Sequence, residues 1–229
     1  MPPPLIDLSP DAVHVWILPV TPGPEDDGRG LLDDSETARW HRLVRPEGRR
    51  LFAAAHALLR TALSRYAAVD PREWRFSAGE HGRPELAGPV SGLSFNLTHT
   101  DGLAACVIAR GLSVGIDAER PARRLDLDSM MRVAFTDAER AQVLAEAPER
   151  RGAAFFAIWT LKEAYIKARG LGLTLPLKSF SVTVEPPGIR PAKDDAQGWH
   201  AELTRPTDEH VLALAVPRRG VMVDYRGSP

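Results

Sequence analysis

Two short acidic stretches of the chain hold side chains whose types and spacing suit the binding of a divalent cation. In the first, residues 113–119 alternate as a strand does, which places Asp117 and Glu119 on the same face. Two carboxylates on one face can converge on a hard cation, which prefers oxygen ligands. The competing interpretation is an exposed strand end with solvated acids, because an Asp-x-Glu pattern alone is weak evidence.

The second acidic stretch lies in a predicted helix over residues 153–169, which contains no Pro or Gly and stops at Gly170. Most of this helix is apolar and should be buried. Glu163 and Lys167 nevertheless lie four residues apart in it, with Lys162 beside them. Such a Glu-to-Lys pair most often only stabilises its helix. A third carboxylate from Glu163, added to the two on the strand, would leave room for water and substrate phosphate around Mg²⁺.

The elements that position these residues follow an α+β pattern, in which helices are followed by strands. Asp33 with Glu36, and Thr136 with Glu139, form capping boxes that open helices. The predicted helices are residues 33–44, 46–66, 127–133, 136–147 and 153–169. The predicted strands are residues 13–19, 74–77, 93–96, 103–110, 113–119, 179–185, 199–204, 210–216 and 221–225, with a turn at 98–102 and a polar connector at 188–197.

Composition narrows the class of protein. The 229 residues can bury a core as one large domain or two small ones, and we place a boundary between an N-terminal half (1–111) and a C-terminal half (112–229). A net charge of -1 gives no field that points to nucleic acid or a membrane. Cys106 is the only cysteine, which excludes an internal disulfide and a Cys-based zinc site. Since no apolar run reaches the ~20 residues that span a bilayer, and no basic leader is present, we expect a cytoplasmic protein.

Four segments, in their order and spacing, resemble the signatures of the 4′-phosphopantetheinyl transferases, in particular the larger, surfactin-type members, which are monomers of about this length. They are residues 114–119 (VGIDAE), 159–167 (WTLKEAYIK), 82–84 (GRP) and 95–100 (FNLTHT). The resemblance implies a pseudo-dimeric fold of two similar packed α+β halves, with coenzyme A contacts in the first half, metal-binding and catalytic motifs in the second, and the active site in the cleft between them.

The resemblance also implies a reaction. Coenzyme A is split at its pyrophosphate, the phosphopantetheine arm moves to a serine of an acyl or peptidyl carrier protein, and adenosine 3′,5′-bisphosphate leaves. Asp117, Glu119 and Glu163 match the family's Mg²⁺ ligands, with Mn²⁺ as the other candidate ion. Glu163, directly or through a metal-bound water, is the candidate base for the serine, and its pKa should be low beside Mg²⁺ and lysine. Lys162 and Lys167 would face phosphate oxygens.

Further coenzyme A contacts follow from the other two segments. Arg83 takes the position of the family's lysine in the Gly-Lys-Pro turn, and Arg holds a phosphate in a fork where Lys acts as a point charge. Thr98 replaces the usual serine, and its hydroxyl can donate the same hydrogen bond. His99 matches the family's phosphate-contacting histidine.

One position departs from the family pattern. Many relatives carry an Arg that contacts the 3′-phosphate of coenzyme A where this chain has His56. Either a protonated His56 or Arg49 would cover that phosphate here, and Arg45 belongs to the same basic cluster. The competing interpretation of the arginines is a solvated face. If nothing replaces the family's Arg, discrimination against 3′-dephospho-coenzyme A would weaken.

The carrier-protein partner, which would serve fatty acid, polyketide or nonribosomal peptide synthesis, follows from the resemblance alone. Residues 123–135 are a candidate docking surface, although Met and Leu at helical spacing are more often core. Two other functions compete with transfer. One is a non-catalytic module that binds coenzyme A or carrier protein, against which the intact acidic set argues. The other is a nucleotide pyrophosphohydrolase, in which water replaces the serine as acceptor.

Overall fold

The computed structural model describes residues 4–24, 27–88, 90, 92–121 and 126–229. The α-helices are α1 (Asp34–Arg42), α2 (Pro46–Leu63), α3 (Leu127–Ala134), α4 (Asp137–Ala145) and α5 (Arg151–Arg169). The strands are β1 (Ala12–Pro19), β2 (Arg75–Ala78), β3 (Pro84–Ala87), β4 (Leu93–Thr100), β5 (Leu103–Arg110), β6 (Gly115–Glu119), β7 (Ser181–Val184), β8 (Pro187–Arg190), β9 (His200–Thr207), β10 (His210–Val216) and β11 (Met222–Arg226). The predicted α+β class is therefore confirmed.

The chain divides into two compact units. The first comprises Met1–Leu112 and Met222–Pro229, and the second comprises Ser113–Val221. The predicted C-terminal half, 112–229, includes the last strand, and this assignment is wrong, because β11 pairs in parallel with β1 at the edge of the first unit's sheet. The coenzyme A and catalytic tasks expected of the two halves stay predictions.

In the first unit, four strands form a sheet in the order β11-β1-β5-β4, antiparallel except for the β1–β11 pair. Helix α2 begins with Pro46 in its first turn, as predicted. Its apolar stripe packs on β5 in a core that includes Ala55, Leu58, Leu59, Ala62, Leu63, Ala104, Cys106 and Ile108. Strands β2 and β3 form a separate hairpin.

The β4–β5 hairpin is tighter than the sequence suggested. Strand β4 extends to Thr100, which pairs with Leu103, so that only Asp101 and Gly102 form the loop. Gly102 has a φ of 85°, which a residue without Cβ adopts at little cost. The predicted turn at 98–102 is therefore corrected, and Thr98 lies within a strand.

In the second unit, three antiparallel strands have the order β6-β10-β9, and β7 pairs with β8 in a second, two-stranded sheet. Helix α5 is buried along most of its length, as its composition predicts. It ends at Gly170, which adopts the left-handed conformation (φ 68°) and donates to the carbonyl oxygen of Ile166.

Both predicted capping boxes are confirmed. At the start of α1, Asp33 accepts from the backbone of Glu36, whose side chain accepts from the backbone of Asp33. Thr136 and Glu139 do the same at the start of α4. Strands β3 and β8 were not predicted, since Pro and Gly in them read as turn signals, and β8 falls partly in the expected connector. Within the described ranges no helix combines the length and hydropathy needed to cross a membrane.

Candidate functional site

Strand β6 lies close against helix α5, and Gly115 makes this approach possible. A Cβ atom on Gly115 would lie 2.0 Å from the carbonyl oxygen of Ala164 and 2.4 Å from the amide nitrogen of Ala168. Any larger residue would have to push the strand away from the helix. The close approach brings the acidic face of β6 against the helical row that carries Glu163 and Lys167.

Lys167 links that helix to the strand. Its Nζ donates to Asp117 Oδ1 at 2.6 Å and to the carbonyl oxygen of Ile116 at 3.1 Å. The Asp117 side chain is 9% exposed, whereas that of Lys167 is 28% exposed. The two acceptors on β6 therefore fix the ammonium while it stays reachable from solvent. Within the protein, the sequence suggested Glu163 on the same helix as the partner of Lys167, and Asp117 was not foreseen.

Glu163 lies where other acids act on it. Burial, and then the negative charge of Asp117, raise the pKa of Glu163 to about 7, with a smaller contribution from Glu119, while the positive charge of Lys167 opposes the rise. Within the protein alone, burial and two like charges outweigh the one lysine. The low pKa expected beside Mg²⁺ stays a prediction. Asp117, Glu119, Glu163 and Lys167 form one electrostatic cluster.

The three carboxylates fit a hard divalent cation in ligand type and charge. Each offers oxygen donors, and the repulsion that raises the pKa of Glu163 is what a bound cation would relieve. As placed, no group of three or more His, Cys, Asp or Glu side chains within the described ranges is arranged to hold a metal ion. The cluster therefore fits Mg²⁺ in its chemistry, and the ligand assignments of Asp117, Glu119 and Glu163 stay predictions.

Lys162 is turned away from that cluster. Its side chain is 0% exposed, and its Nζ donates to both carboxylate oxygens of Glu139, at 2.8 and 2.9 Å, and to the carbonyl oxygen of Phe180 at 3.2 Å. Burial lowers the pKa of Lys162, although the charge of Glu139 opposes this. The prediction that Lys162 faces a substrate phosphate is wrong. One residue along a helix is a rotation of about 100°, which turns Lys162 into the core when Glu163 faces β6.

A cavity of about 260 Å³ lies in the first unit. Its walls include His56 on α2, the turn residues Gly82 and Pro84, and residues 95–97 of β4. It thus brings together parts of three segments that the resemblance assigned to coenzyme A. Helix α1 adds Arg39, whose guanidinium also lies 5.5 Å from the centre of the Phe52 ring.

His56 is held at the edge of this cavity by Glu36. His56 Nδ1 lies 2.8 Å from Glu36 Oε1, and the two side chains are 14% and 5% exposed. The ring also lies face to face with Phe52, with centroids 4.1 Å apart and planes tilted by 33°. Burial would raise the pKa of Glu36, but hydrogen bonds from His56, the Asp33 backbone and Arg60, together with the charge of His56, hold it below its ordinary value.

Arg60 secures Glu36 from behind. It is fully buried and donates through Nε and Nη2 to Glu36 Oε2, at 3.0 and 2.6 Å, and through Nη2 to Asp33 Oδ2 at 2.9 Å. Its Nη1 donates to the carbonyl oxygens of Pro71 and Trp74. With its donors engaged in this way, Arg60 stabilises the carboxylates and is not directed to a ligand.

Neither Arg49, which was proposed as an alternative to His56, nor Arg45 lines the cavity. Arg49 Nε donates to the carbonyl oxygen of Leu43 at 2.8 Å, and its guanidinium lies 5.0 Å from the centre of the Trp40 ring. Arg49 thus closes the turn between α1 and α2 and does not share the position of His56. Arg45 is the exposed N-cap residue of α2. The substrate roles of Arg49 and Arg45 stay predictions.

The remaining predicted coenzyme A contacts have different environments. Arg83 is half-buried, its Nη2 approaches the carbonyl oxygen of Phe95 at 3.4 Å, and burial lowers its pKa. Thr98 and His99 are neighbours on β4 and face opposite sides of it, so that Thr98 is buried and His99 is exposed. The phosphate contacts of all three stay predictions.

Most of the described apolar side chains in the candidate docking surface at 123–135 pack in or against the core. Met131 is 3% exposed, and Leu127 and Met130 pack against the same hydrophobic cluster. Val133, in contrast, is 75% exposed. Arg123 and Leu125 lie outside the described residues.

Sequence reasoning missed three residues at the cavity: Glu36, Arg39 and Arg60. A partial signal existed, since an arginine in an apolar helical stripe needs a buried carboxylate partner, and the N3 glutamate of a capping box is close to a helix end. The pairing itself joins residues 24 apart in the chain, which no local pattern reveals.

Comparison with known proteins agrees with these observations. Residues 113–215 match the model of the 4′-phosphopantetheinyl transferase superfamily. The 4′-phosphopantetheinyl transferase HetI of Nostoc sp. is 35% identical over 220 residues, which cover 93% of this chain and 91% of that protein. The 4′-phosphopantetheinyl transferase Sfp of Bacillus subtilis is 32% identical over 57% of each chain. A holo-(acyl-carrier-protein) synthase from Bacillus anthracis, solved with coenzyme A (3′,5′-ADP), is 22% identical, with a TM-score of 0.40, and covers 46% of this chain and 95% of its own.

The near full-length match to the Nostoc protein shows that the chain belongs to the 4′-phosphopantetheinyl transferase family. The resemblance read from the four segments, including its surfactin-type character, is thereby confirmed.

Proposed function

We propose that this protein transfers the 4′-phosphopantetheine group of coenzyme A to a serine of an apo acyl or peptidyl carrier protein, in a Mg²⁺-dependent reaction that releases adenosine 3′,5′-bisphosphate. Family membership supports the reaction class. The observation that carries the proposal for this chain is the cluster on β6 and α5, where Lys167 bonds to Asp117 at 2.6 Å beside Glu163 and Glu119.

Asp117, Glu119 and Glu163 would hold the divalent cation. When bound, Mg²⁺ or Mn²⁺ supplies positive charge to the pyrophosphate oxygens and to the leaving bisphosphate. Lys167 contributes from the protein side. Its ammonium is anchored on two acceptors and partly exposed, so its positive charge is fixed where a phosphate oxygen can reach it.

Glu163 is the proposed acceptor of the serine proton, directly or through a water molecule. A carboxylate that is partly buried and surrounded by like charges has the basicity that general-base catalysis near neutral pH requires. The cation would lower that basicity, and for this reason the water-mediated route remains part of the proposal.

Coenzyme A would be held by the first unit. His56 lines the cavity there. Arg83, Thr98, His99, Arg49 and Arg45 would supply further polar contacts. We place the proposed reaction in the cytoplasm, where coenzyme A and carrier proteins are found. Because one chain carries every group proposed for the reaction, a monomer suffices. Light scattering in solution measures the oligomeric state, and a stable dimer would contradict the proposed monomer.

The direct test is intact-protein mass spectrometry of an apo carrier protein incubated with this protein, coenzyme A and Mg²⁺. We expect the carrier to gain the mass of one phosphopantetheine group, and we expect a chelator to abolish the gain. Coenzyme A that binds without modifying any of several carriers would favour a non-catalytic module. Steady hydrolysis of coenzyme A without a carrier would favour a pyrophosphohydrolase.

Replacing Glu163 tests its role within this cluster. Glu163→Gln keeps the shape of the side chain but removes its charge, so we expect the fold to persist and turnover to fall by roughly a hundredfold or more, in the range of a lost general base. Carrier modification at saturating Mg²⁺ measures the change, with a thermal melt as the control for folding. Near-normal turnover would contradict both roles proposed for Glu163, as a ligand of the cation and as the acceptor of the serine proton.

A further inference from the structure

A buried cluster of hydrogen bonds ties the segment before β9 to the last turns of α5. Its centre is Asp195, whose side chain is 1% exposed. Its Oδ2 accepts from the Tyr165 hydroxyl at 2.8 Å, from Trp199 Nε1 at 2.9 Å and from Arg169 Nη1 at 3.1 Å. Its Oδ1 accepts from the backbone N–H of Gln197 at 3.0 Å. Both oxygens of the buried carboxylate are therefore satisfied, as the burial of a charge requires.

Tyr165 and Arg169 lie one turn apart on α5, and the cluster fixes both. Arg169 Nη1 donates to the Tyr165 hydroxyl at 2.9 Å, and the backbone N–H of Ala192 donates to the same oxygen at 3.2 Å. Burial raises the pKa of the Tyr165 hydroxyl, which keeps its proton and donates it to Asp195. The Trp199 ring packs on the Tyr165 ring, with centroids 4.7 Å apart. The segment before β9 therefore holds one full turn of the helix through two of its side chains.

These two side chains lie on the opposite side of α5 from the acidic cluster. Tyr165 is two residues from both Glu163 and Lys167, which corresponds to a rotation of about 200° around the helix. At the front of the helix, Lys167 bonds to Asp117 on β6 at 2.6 Å. At the back, Asp195 bonds to the same helical turn. Polar contacts on both sides therefore hold this end of α5.

The rotation of α5 about its axis decides how the acidic groups meet. Asp117 and Glu119 belong to β6, whereas Glu163 belongs to the helix. The three carboxylates can therefore share a cation only while the helix keeps its orientation. The bare backbone of Gly115 permits the close approach of strand and helix but does not fix this rotation. A rotation that carried Glu163 away from the strand would have to break the hydrogen bonds of Asp195.

We infer that Asp195 is a positioning residue, which fixes the rotation of α5 and so holds Glu163 and Lys167 against the acidic face of β6. This inference rests on the proposed function for the chemistry of that acidic cluster. In this role Asp195 acts only through the helix. A substitution behind the helix should therefore weaken the binding of a cation at its front.

Titration with Mn²⁺ tests the inference without relying on transfer, because the paramagnetic resonance signal of free Mn²⁺ is lost when the ion binds to a protein. Asp195→Asn keeps the shape of the side chain, removes its charge and weakens the hydrogen bonds that it accepts. We expect the Kd for Mn²⁺ to rise by roughly two- to thirtyfold, the range for substitutions that act through a packed network. A thermal melt shows whether the variant is folded at the temperature of the titration.

Three further variants separate a positioning role from a merely structural one. Tyr165→Phe removes the hydroxyl that joins the helix to Asp195 but no charge, and it should also raise the Kd for Mn²⁺. Asp194→Asn removes the neighbouring carboxylate, which is 66% exposed and bonds to the same Arg169, and it should leave the Kd unchanged. Tyr66→Phe removes a buried, hydrogen-bonded hydroxyl from the first unit. It should lower the melting temperature without changing the Kd.

The inference fails if folded Asp195→Asn and Tyr165→Phe bind Mn²⁺ as the parent protein does, or if Tyr66→Phe weakens binding as much as Tyr165→Phe does. If Asp195→Asn does not fold, Tyr165→Phe decides alone.

Carrier modification decides the proposed function separately. A parent protein that modifies carriers, while its Mn²⁺ affinity is insensitive to both substitutions, overturns only this inference. A Mn²⁺ affinity that responds as expected in a protein that modifies no carrier overturns only the reaction. A parent protein that binds no Mn²⁺ overturns the cation site and this inference with it.

Discussion

Each unit contains a helix that opens with a capping box, and in each the N3 glutamate is buried against a cation from the unit's longest helix. In the first unit Glu36 at the start of α1 receives Arg60 from α2. In the second unit Glu139 at the start of α4 receives Lys162 from α5. The same combination of a helix start and a buried ion pair therefore occurs twice, on helices that follow each other in the same order.

The two pairs differ in what else touches the carboxylate. Glu139 accepts a further hydrogen bond from the backbone of Val182 at 2.9 Å, and Lys162 donates a further one to the carbonyl oxygen of Phe180. The pair is therefore enclosed in the core with its hydrogen bonds satisfied. Glu36 instead extends its second oxygen to His56 at the edge of a cavity. A closed, fully satisfied pair organises the fold, whereas a pair with one open contact can also position a group for a ligand.

Breaking the closed pair should have the largest effect. Lys162→Met leaves the Glu139 carboxylate buried without its cation, and the loss should be about 3–5 kcal/mol in the free energy of unfolding. Urea denaturation measures it. The double variant Lys162→Met with Glu139→Gln removes the stranded charge and should recover part of the loss. If Lys162→Met is stable but has no transfer activity, Lys162 would contact the substrate after all.

The interface between strand and helix offers the second comparison. The first unit packs α2 on β5 through side chains such as Ala104 and Cys106, whereas the second packs α5 on the bare backbone of Gly115. Gly115→Ala should therefore cost about 1–3 kcal/mol by overpacking and also displace Asp117 from Lys167. Denaturation and carrier modification together measure these effects.

Gly152, near the start of α5, supplies the control for that substitution. A Cβ atom there would meet nothing within 4 Å. Gly152→Ala should therefore stabilise the protein by about 0.5–1 kcal/mol, because alanine favours the helix more than glycine does. Equal effects of the two substitutions would show that the close approach at Gly115 is not real.

The N-caps of α1 and α4 provide a further comparison between the units. Thr136→Ala should cost about 1 kcal/mol, the usual value for a lost cap. Asp33→Ala should cost more, since Asp33 also accepts from the buried Arg60 at 2.9 Å. Unfolding free energies of the two variants give the comparison directly. Equal losses would mean that the Asp33–Arg60 contact contributes nothing beyond the cap.

Local sequence patterns predicted the ends of the helices better than they predicted which side chains pair across the fold. Four helix boundaries could be predicted, because each depends on residues only a few positions apart. They are the two capping boxes, the start of α2 at Pro46 and the end of α5 at Gly170. The direction of the Lys162 side chain could not be predicted, because its partner Glu139 lies 23 residues earlier in the chain. The adjacent Glu163 instead suggested that both side chains belong to the same substrate site. The role of Glu36 was hidden for the same reason, and the motif resemblance supplied the site that local patterns alone left open.

The return of β11 to β1 has a consequence for how the protein is made. Residues 113–221 leave the ribosome before Met222 does, so the second unit can fold while the first still lacks the strand at its edge. Until then β1 offers unpaired backbone groups to any other strand, a hazard for aggregation during synthesis. Completion of the first unit's sheet therefore waits for the segment that follows the second unit, and truncation before Met222 would leave β1 as the edge strand.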